Sequence, residues 1–237
     1  MSQRSRPVVA IDGPAGAGKS TVTRRVAERL NYVLVDTGAI YRTVALAAER
    51  AGLSWEDSEG VSAFAHELSA RNAIRLERGE AGQRVLLDGE DVSGSIRTLS
   101  IGQGASKVSA IPGVRDALLE LQRRAGVEGG VVLEGRDIGT VVFPDAEAKF
   151  FLTASVEVRA RRRYEELAQK GHAPPLEQVI EEVKERDHRD SSRPIAPLKQ
   201  AADAVVVDSS NLSIDEVAEQ IVMHVRRVEH ALAGTSG

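Results

Sequence analysis

The pattern of apolar and polar residues predicts five buried strands. Five short runs are rich in valine, continuous rather than alternating, and adjacent to Gly, Asp or Pro. Runs of this kind are typical of strands in a parallel sheet, because both faces of such a sheet are covered. The predicted strands are Val8–Ile11, Tyr32–Asp36, Val131–Glu134, Lys149–Thr153 and Ala204–Asp208.

Apolar residues recur at spacings of three and four in the segments around these strands, which predicts amphipathic helices. The alternation of strands and helices indicates βαβ units, and therefore an α/β fold with a parallel sheet. The predicted helices are Lys19–Leu30, Ala39–Ala51, Val114–Ala125, Val156–Lys170, Leu176–Arg189 and Ile214–Leu232.

The segment Gly52–Gly130 interrupts this alternation, since it is far longer than one crossover between parallel strands requires. Within it, Ala73–Glu77 and Arg84–Leu87 flank the turn Gly79–Gly82, and Asp88-Gly89 provides a further turn. This arrangement predicts a small antiparallel meander with helices on either side. We therefore expect an inserted lobe rather than a separate domain.

The composition excludes several classes of protein. Of the 237 residues, 42% are hydrophobic and 28% are charged, which is the balance of a folded domain rather than of a disordered chain. The formal net charge of −4 argues against a general nucleic-acid-binding protein. The absence of cysteine excludes disulfides, thiol catalysis and cysteine-ligated metal sites, and the five histidines form no metal-binding motif.

The first residues carry no sign of a targeting segment. Met1–Pro7 is polar and basic, and the apolar run Val8–Ile11 ends at Asp12. A secretory signal needs a longer apolar core, and a membrane span needs about 20 apolar residues. We therefore expect a cytoplasmic protein that binds neither membranes nor nucleic acids.

A phosphate-binding motif follows the first predicted strand. The segment Gly13–Ser20 reads GPAGAGKS, which matches G-x-x-x-x-G-K-[ST] in the required position between a strand and a helix. Its glycines let backbone N–H groups face phosphate oxygens, and the helix that begins near Lys19 directs its positive dipole end at them. Lys19 would neutralise the β- and γ-phosphates, and the Ser20 hydroxyl would bind Mg²⁺.

This motif occurs in motors, switches and kinases, so it does not define a reaction. A GTP-binding switch needs an Asn/Thr-Lys-x-Asp sequence that recognises guanine, and the chain has none. Two D-x-x-G segments, Asp57–Gly60 and Asp91–Gly94, do not follow buried strands. These observations disfavour a switch.

Arginines lie near the carboxyl ends of two predicted strands, where the ligands of parallel sheets bind. In Asp36–Arg42, after the second strand, Thr37 is a suitable helix N-cap, which would place Tyr41 and Arg42 in the first turn. Arg136 follows the third strand. Because a cation gains nothing from the dipole at a helix N-terminus, the alternative for Arg42 is an ordinary solvated surface residue.

Two further basic clusters lie in the later helices. Arg186–Arg193 ends one helix, and a charged helix end usually faces solvent. Arg159, Arg162 and Arg163 share one face of the helix after the fourth strand, and this face could close over a triphosphate. Arg161 and Arg162 each have a Glu four residues later, so a salt-bridged solvent face is the alternative.

Together these segments resemble the bacterial cytidylate kinases (CMP kinases) of the nucleoside monophosphate kinase superfamily. The resemblance runs from about Val8 to the final helix, and in the insert it includes DGEDVSG with IR, and AS-x-VS-x-IPGVR. Glu134 stands where some members have Asp, so a role in ordering Mg²⁺-bound water does not carry over directly. The motifs outside the insert are VVAIDGPAGAGKST, DTGAIYR, EGRDIGTVVFPDA and RDHRDSSRPIAPL followed by ADAVVVDSS.

The resemblance implies the fold class α/β, P-loop kinase: a five-stranded parallel sheet of order 2-3-1-4-5, flanked by helices, with an inserted monophosphate-binding lobe and a lid. It implies a single domain over residues 1–237. Its core would comprise 7–51, 126–154 and 196–233, the inserted lobe about 52–125, and the lid and acceptor-contact region about 155–195.

The resemblance also implies a reaction, ATP + (d)CMP → ADP + (d)CDP, with Mg²⁺ as cofactor. Phosphoryl transfer of this kind depends on positioning and on neutralising oxygen charge, so it suits a chain rich in arginine that has no cysteine nucleophile. We expect a monomer whose partners are ATP and CMP or dCMP.

By motif position, the resemblance implies two sets of binding residues. Lys19, Arg42, Arg136, Arg159 and Arg193 would act on the transferring group. The ATP phosphates would contact Gly13, Pro14, Ala15, Gly16, Ala17, Gly18, Lys19, Ser20, Thr21, Arg159, Arg162 and Arg163. The CMP-binding set would be Asp36, Thr37, Tyr41, Arg42, Ser106, Arg115, Arg136, Asp137, Arg186, Asp190 and Arg193.

Roles within the CMP-binding set also follow from the resemblance. Tyr41 would pack in the acceptor site. The acceptor phosphate would be held by Arg42, Arg136 and Arg193, the cytosine recognised by Ser106, Arg115 and Asp137, and the ribose approached by Arg186 and Asp190.

Two alternatives stay open at the level of sequence. The first is a P-loop kinase that acts on another small acceptor, such as UMP or a hydroxylated metabolite. The second is a binding module that hydrolyses ATP only to change shape, and it predicts slow ATPase activity that no acceptor affects.

Overall fold

The structure is a computed structural model that describes residues 4–79, 82–169, 171 and 174–234. Short 3₁₀ and π-helical turns cover Ser95–Arg97 and Ile138–Val142. The other elements, in chain order, are β1 (Val8–Asp12), α1 (Lys19–Leu30), β2 (Val33–Asp36), α2 (Thr37–Arg50), α3 (Ser58–Ala70), β3 (Ile74–Gly79), β4 (Gly82–Leu87), β5 (Glu90–Asp91), α4 (Leu99–Val108), α5 (Pro112–Arg124), β6 (Val131–Gly135), β7 (Ala148–Thr153), α6 (Val156–Gln169), α7 (Leu176–Ser191), β8 (Val205–Asp208) and α8 (Ile214–Gly234).

β1 is the central strand of a five-stranded sheet of order β2-β6-β1-β7-β8. It runs parallel to β6, with Val8 opposite Val131, and parallel to β7, with Val9 opposite Ala148. β8 is parallel to β7. Val8–Ile11 is buried completely, as a strand covered on both faces should be. With the strands of the insert left out of the numbering, this is the predicted order 2-3-1-4-5, and the predicted fold class is confirmed.

The predicted strands and helices are all present, with ends that differ by at most two residues. The prediction that all five strands are buried is wrong for β2 and β8, in which only Val35 and Val207 are buried. Both are edge strands of the sheet, so each has a neighbouring strand on one side only. The predicted end of one helix, Lys170, lies outside the described residues. The meander is present as β3, β4 and β5, in that order, with α3 before it and α4 after it. Its predicted turn, Gly79–Gly82, includes two residues, 80 and 81, that also lie outside the described ranges.

The chain divides into two compact units. The first unit comprises Met1–Val33 and Glu128–Gly237, and the second comprises Leu34–Val127. The second unit therefore contains the inserted lobe predicted at about 52–125, and it also contains α2, which the sequence placed in the core. The assignment of core, monophosphate-binding lobe and lid stays a prediction.

The second unit has its own apolar core around α2. Ile40, Val44, Ala45 and Ala48 on this helix are fully buried. α2 packs against α4 and β4, and α3 packs against α5. Because α2 is covered on several sides, its position is fixed by the apolar contacts of the whole unit.

In the first unit, α8 packs against α1. Val217, Ile221 and Val225 form the buried face of this helix. The Tyr32 hydroxyl donates a hydrogen bond to Glu229 at 2.6 Å, which fastens the later part of α8 near the start of β2. Among the described helices, none combines the length and the apolar character that a membrane span needs.

Candidate active site

The phosphate loop runs from Gly13 to Ser20, between β1 and the first turn of α1. At Gly13, φ is 153°, and a Cβ atom would lie 2.0 Å from the carbonyl oxygen of Leu152. At Gly16, φ is 77°, and a Cβ atom would lie 3.0 Å from Arg159. Side chains are therefore excluded at both positions, and the bare backbone can present N–H groups to an anion.

Lys19, the first residue of α1, is buried with its ammonium group at this loop. Its Nζ donates a hydrogen bond to the carbonyl oxygen of Pro14 at 2.7 Å. Burial lowers the pKa of Lys19 well below its ordinary value, and the cations Arg136 and Arg186 lower it further, against the opposing effect of Glu134. Cations held this close in a dry environment repel each other until an anion binds among them.

Ser20 and Glu134 bring oxygen donors to the start of α1. The Ser20 hydroxyl donates to Glu134 Oε2 at 3.0 Å, and Glu134, in β6, is 5% exposed. A hydroxyl and a carboxylate suit Mg²⁺, which also keeps water and substrate phosphate oxygens as ligands. The described part of the chain contains no group of three or more His, Asp or Glu that could hold a metal. By the chemistry of their oxygen donors, Ser20 and Glu134 fit a Mg²⁺ ion.

Asp12, at the end of β1, is absent from the predicted site but holds the segment that follows β6. Its Oδ1 accepts a hydrogen bond from the N–H of Ile138, and its Oδ2 one from the N–H of Gly139, both at 2.8 Å. Burial raises the pKa of Asp12 to about 6 in spite of these bonds. Asp12 thereby fixes the backbone directly after Arg136 and Asp137. The signal in the sequence is a carboxylate that ends an otherwise apolar strand.

Four of the predicted acceptor-binding residues meet near the end of α7. Arg136 Nε donates to Asp190 Oδ2 at 2.8 Å, and Asp190 is only 4% exposed. Burial by itself would raise the pKa of Asp190, but Arg136, Arg186 and Arg193 together hold it below its ordinary value. Arg193 Nε donates to the backbone carbonyl of Asp190 at 3.2 Å. The first unit thus contains a compact group of cations around one buried carboxylate, in which Arg193 is buried and Arg136 and Arg186 are partly exposed.

The prediction that Thr37 caps α2 is wrong. The helix begins at Thr37, and its cap is Asp36, whose carboxylate accepts a backbone N–H of the first turn at 3.2 Å. The Asp36 N–H donates to Gln83 Oε1 at 2.8 Å, and Gln83 Nε2 donates to the Asp36 carbonyl at 3.3 Å. Tyr41 and Arg42 therefore lie in the second turn of α2 rather than in the first.

Other predicted CMP-binding residues lie in the second unit. The Arg115 guanidinium lies 5.4 Å from the centre of the Tyr41 ring, and Ser106 is buried in α4. Arg42 donates to a carbonyl oxygen of the 3₁₀ turn at 3.4 Å. Gln122, which sequence reasoning missed, is buried in α5 and donates to the Tyr41 hydroxyl at 3.4 Å. Nothing in the local sequence pattern distinguishes this glutamine from a surface residue.

The three predicted lid arginines have different partners. Arg159 is buried and donates to both carboxylate oxygens of Asp187, at 3.0 and 2.7 Å. Arg162 donates to the hydroxyl and the carbonyl of Ser209, at 3.0 and 2.7 Å. Arg163 donates to a glutamate of its own helix at 2.8 Å. Asp187 and Ser209 lie 28 and 47 residues away along the chain, so helical spacing could not reveal them.

The sequence matches a family model described as cytidylate kinase over residues 9–227. A cytidylate kinase from Geobacter sp. strain M21 is 55% identical over 212 residues, which are 90% of this chain and 89% of that protein. A cytidylate kinase from Geobacter sulfurreducens is 52% identical over 227 residues, which are 96% of each chain.

Among solved structures, a gluconokinase from Sinorhizobium meliloti 1021 has a similar fold. The TM-score is 0.50, and the match covers 99% of both chains at 16% sequence identity. At this level of identity the likeness concerns the fold alone.

Proposed function

The chain belongs to the cytidylate kinase family, and from this membership we propose that it transfers the γ-phosphoryl group of ATP to CMP and dCMP. The observation that carries the proposal is the group of cations beside the phosphate loop, in which Lys19 and Arg193 are buried and Arg136 and Arg186 are half-buried. Lys19 lies close enough to Arg136 and Arg186 for these arginines to depress its pKa, and Arg193 joins the same group through Asp190. Phosphate oxygens supply the negative charge that such a group lacks.

On the donor side, we assign the ATP phosphates to Gly13–Gly18, Lys19, Ser20 and Thr21. The Lys19 ammonium would exchange the Pro14 carbonyl for oxygens of the β- and γ-phosphates. Arg162 and Arg163, on the helix after β7, would contribute positive charge from the lid. Arg159 differs from these two because its guanidinium is already held by Asp187.

On the acceptor side, we assign the CMP phosphate to Arg42, Arg136 and Arg193, as the family resemblance implies. Guanidinium groups suit this task, because their planar N–H pairs match two phosphate oxygens at once. The remaining assignments in the second unit are Asp36, Thr37 and Tyr41.

Recognition of the nucleoside would depend on polar side chains that the fold largely shields from water. Ser106, Arg115 and Asp137 would contact the cytosine, and all three are buried. Arg186 and Asp190 would contact the ribose. Since buried polar groups are costly when they lack partners, these side chains would favour a base and a sugar that satisfy them.

The chemistry requires no nucleophilic side chain. An oxygen of the CMP phosphate attacks the γ-phosphorus in line, and the bond to the β,γ-bridging oxygen breaks to release ADP. Lys19 and the arginines neutralise the equatorial oxygens as charge spreads over them. Ser20 and Glu134 would hold Mg²⁺, directly or through water, and the ion would add positive charge at the β- and γ-phosphates.

The test is ADP release measured with CMP, dCMP, UMP, AMP and shikimate, and without acceptor. We expect rapid release with CMP and dCMP and very slow release without an acceptor. A similar slow rate under every condition would instead indicate a module that hydrolyses ATP to change shape. Fast release with UMP or shikimate alone would indicate a kinase for a different acceptor.

The enzyme would act as a cytoplasmic monomer with ATP and CMP or dCMP as its partners. Light scattering at assay concentration tests this proposal, and a stable dimer with activity only in the dimeric fraction would contradict it.

A further inference from the structure

Arg159 connects three segments of the first unit. Its Nε donates to the carbonyl oxygen of Ala154 at 2.9 Å, and its Nη1 donates to that of Ala15 at 3.2 Å. The same guanidinium forms a two-pronged ion pair with Asp187, at 3.0 and 2.7 Å. Arg159 is only 4% exposed, while the Asp187 side chain is 25% exposed, so the ion pair is partly shielded from water.

The two ends of this connection belong to the donor and the acceptor parts of the proposed site. Ala15 lies in the phosphate loop, and a Cβ atom on the glycine after it would lie 3.0 Å from Arg159. Asp187 lies on α7, between Arg186 and Asp190. One side chain therefore joins the loop assigned to ATP to the helix that carries residues assigned to CMP.

We propose that the Arg159–Asp187 pair is a positioning element that holds α7, and with it the acceptor-binding residues, at a fixed distance from the phosphate loop. This inference rests on the proposed phosphoryl transfer. It gives Arg159 a role different from the expected contact with ATP phosphates.

The geometry of the guanidinium supports this assignment. Two parallel bonds to one carboxylate and two bonds to backbone carbonyls leave it poorly oriented toward a triphosphate. In-line transfer needs the reacting atoms about 3–3.5 Å apart, and a displacement of about 1 Å can cost about 100-fold in rate. The partly buried ion pair holds the acceptor helix to an arginine that also donates to the donor loop, so it acts directly on that distance.

The experiment compares Arg159→Gln, Asp187→Asn and the double variant by steady-state kinetics and by calorimetric titration with ATP. Each single change should lower kcat/KM for CMP by about 10- to 100-fold. The double variant should be no worse than the more impaired single variant, because either change breaks the same connection. The Kd for ATP should stay within about threefold of the wild-type value.

The matched control is Glu181→Gln. Glu181 lies on the same helix and pairs with Lys184 at 2.7 Å on the exposed surface. This variant also removes one carboxylate charge from α7, but it leaves the Arg159–Asp187 pair intact, so its kinetics should equal those of the wild type.

Two results would overturn the proposal. One is weaker ATP binding in Arg159→Gln with wild-type kinetics in Asp187→Asn, which would make Arg159 a ligand of ATP. The other is a multiplicative loss in the double variant, which would mean that the two residues act separately. If the wild type itself fails to phosphorylate CMP, the proposed function fails instead, so the two failures are distinguishable.

Asp187→Glu covers the case in which Asp187→Asn does not fold. It keeps the charge and moves the carboxylate by one methylene group. We expect a folded protein, by its thermal transition, whose kcat/KM for CMP is at least about fivefold lower while its Kd for ATP is unchanged. A wild-type kcat/KM in this variant would overturn the positioning role.

Discussion

At the scale of single residues, the proposed chemistry depends on positively charged side chains that lie close together and are largely shielded from water. Lys19 sits near two arginines, and its pKa is lowered first by burial and then by Arg136. Such an arrangement costs stability in the absence of an anion, because buried like charges repel. Residues that prepare a site for ligand often lower the stability of the empty protein.

Lys19→Met should therefore separate activity from stability. Turnover should fall by about 10²- to 10³-fold, because the γ-phosphoryl group loses a fixed positive partner. The melting temperature without nucleotide should rise, by about 2–4 °C for each kcal/mol of repulsion removed. Near-normal turnover in this variant would contradict the assignment of the phosphate loop.

The pH dependence of stability provides a second measurement on the same residue. Between the lowered pKa of Lys19 and about 10.4, the folded protein binds fewer protons at this group than the unfolded chain does. Its contribution to the free energy of unfolding should therefore increase with pH. Thermal unfolding at pH 7 and pH 9 should show that the melting temperature of Lys19→Met exceeds that of the wild type by less at pH 9 than at pH 7. A difference in melting temperature that grows with pH would contradict the lowered pKa of Lys19.

Asp137 should determine much of the choice of base. An ionised carboxylate only accepts hydrogen bonds, so it suits the amino group of cytosine and repels O4 of uracil, while Arg115 only donates. Two mismatched buried groups at about 1–3 kcal/mol each predict a kcat/KM preference for CMP over UMP of about 30-fold to 10⁴-fold. Asp137→Asn should narrow this preference, mainly by loss of activity with CMP. An unchanged CMP/UMP ratio would remove Asp137 from base recognition.

Sequence reasoning found residue types but not their partners. It placed Arg159 with Arg162 and Arg163 because the three share a helical face, yet the fold pairs Arg159 with Asp187 and Arg162 with Ser209. These partners come from other elements, and helical spacing contains no information about them.

At the scale of elements, apolar periodicity was sufficient where one face of an element packs on the core. α1 is found over Lys19–Leu30, the range that its apolar spacing predicts. The start of α2 was misplaced because both Asp36 and Thr37 are suitable N-cap residues. The hydrogen bond between Gln83 and the Asp36 N–H comes from β4, which is distant in the sequence. Within the insert, helices were expected on both sides of the meander, but the apolar pattern did not define the bounds of α3 and α4.

α6 offers a test of the lid. Arg163→Ala should lower kcat by about tenfold or more, because a cation near the ATP phosphates is lost, while CMP affinity should hardly change. Arg161→Ala is the matched control, since Arg161 is exposed on the same helix and is not assigned to ATP. Calorimetry with CMP and initial rates at saturating ATP provide the two readouts. Loss of CMP affinity with unchanged kcat would contradict the assignment of Arg163 to ATP rather than to CMP.

At the scale of the whole molecule, the apolar pattern predicted a parallel sheet, but the order of its strands came from the family resemblance. Periodicity cannot order strands, because a short apolar run contains no information about which other run lies beside it. The boundary between the two units also escaped prediction. α2 belongs to the second unit because its many buried residues pack on α4 and β4, whereas its position in the sequence, directly after a sheet strand, suggested the core.

Anion binding should stabilise the whole protein. At a concentration 100 times its Kd, ATP should add about 2.7 kcal/mol to the free energy of unfolding, which is about 5–11 °C in melting temperature for a chain of this size. The same ATP concentration should shift Lys19→Met much less. Differential scanning calorimetry measures both shifts, and equal shifts in the two proteins would mean that Lys19 does not contact the nucleotide.

The most direct measurement of the central claim is the fate of a labelled γ-phosphate. ATP carrying ³²P in the γ-position is mixed with CMP and excess enzyme, and the products of a single turnover are separated. Transfer to the acceptor predicts that the label appears in CDP, with little inorganic phosphate, and that Lys19→Met forms this product about 10²- to 10³-fold more slowly. Release of the label as inorganic phosphate at a rate that does not depend on CMP would contradict the proposed kinase activity.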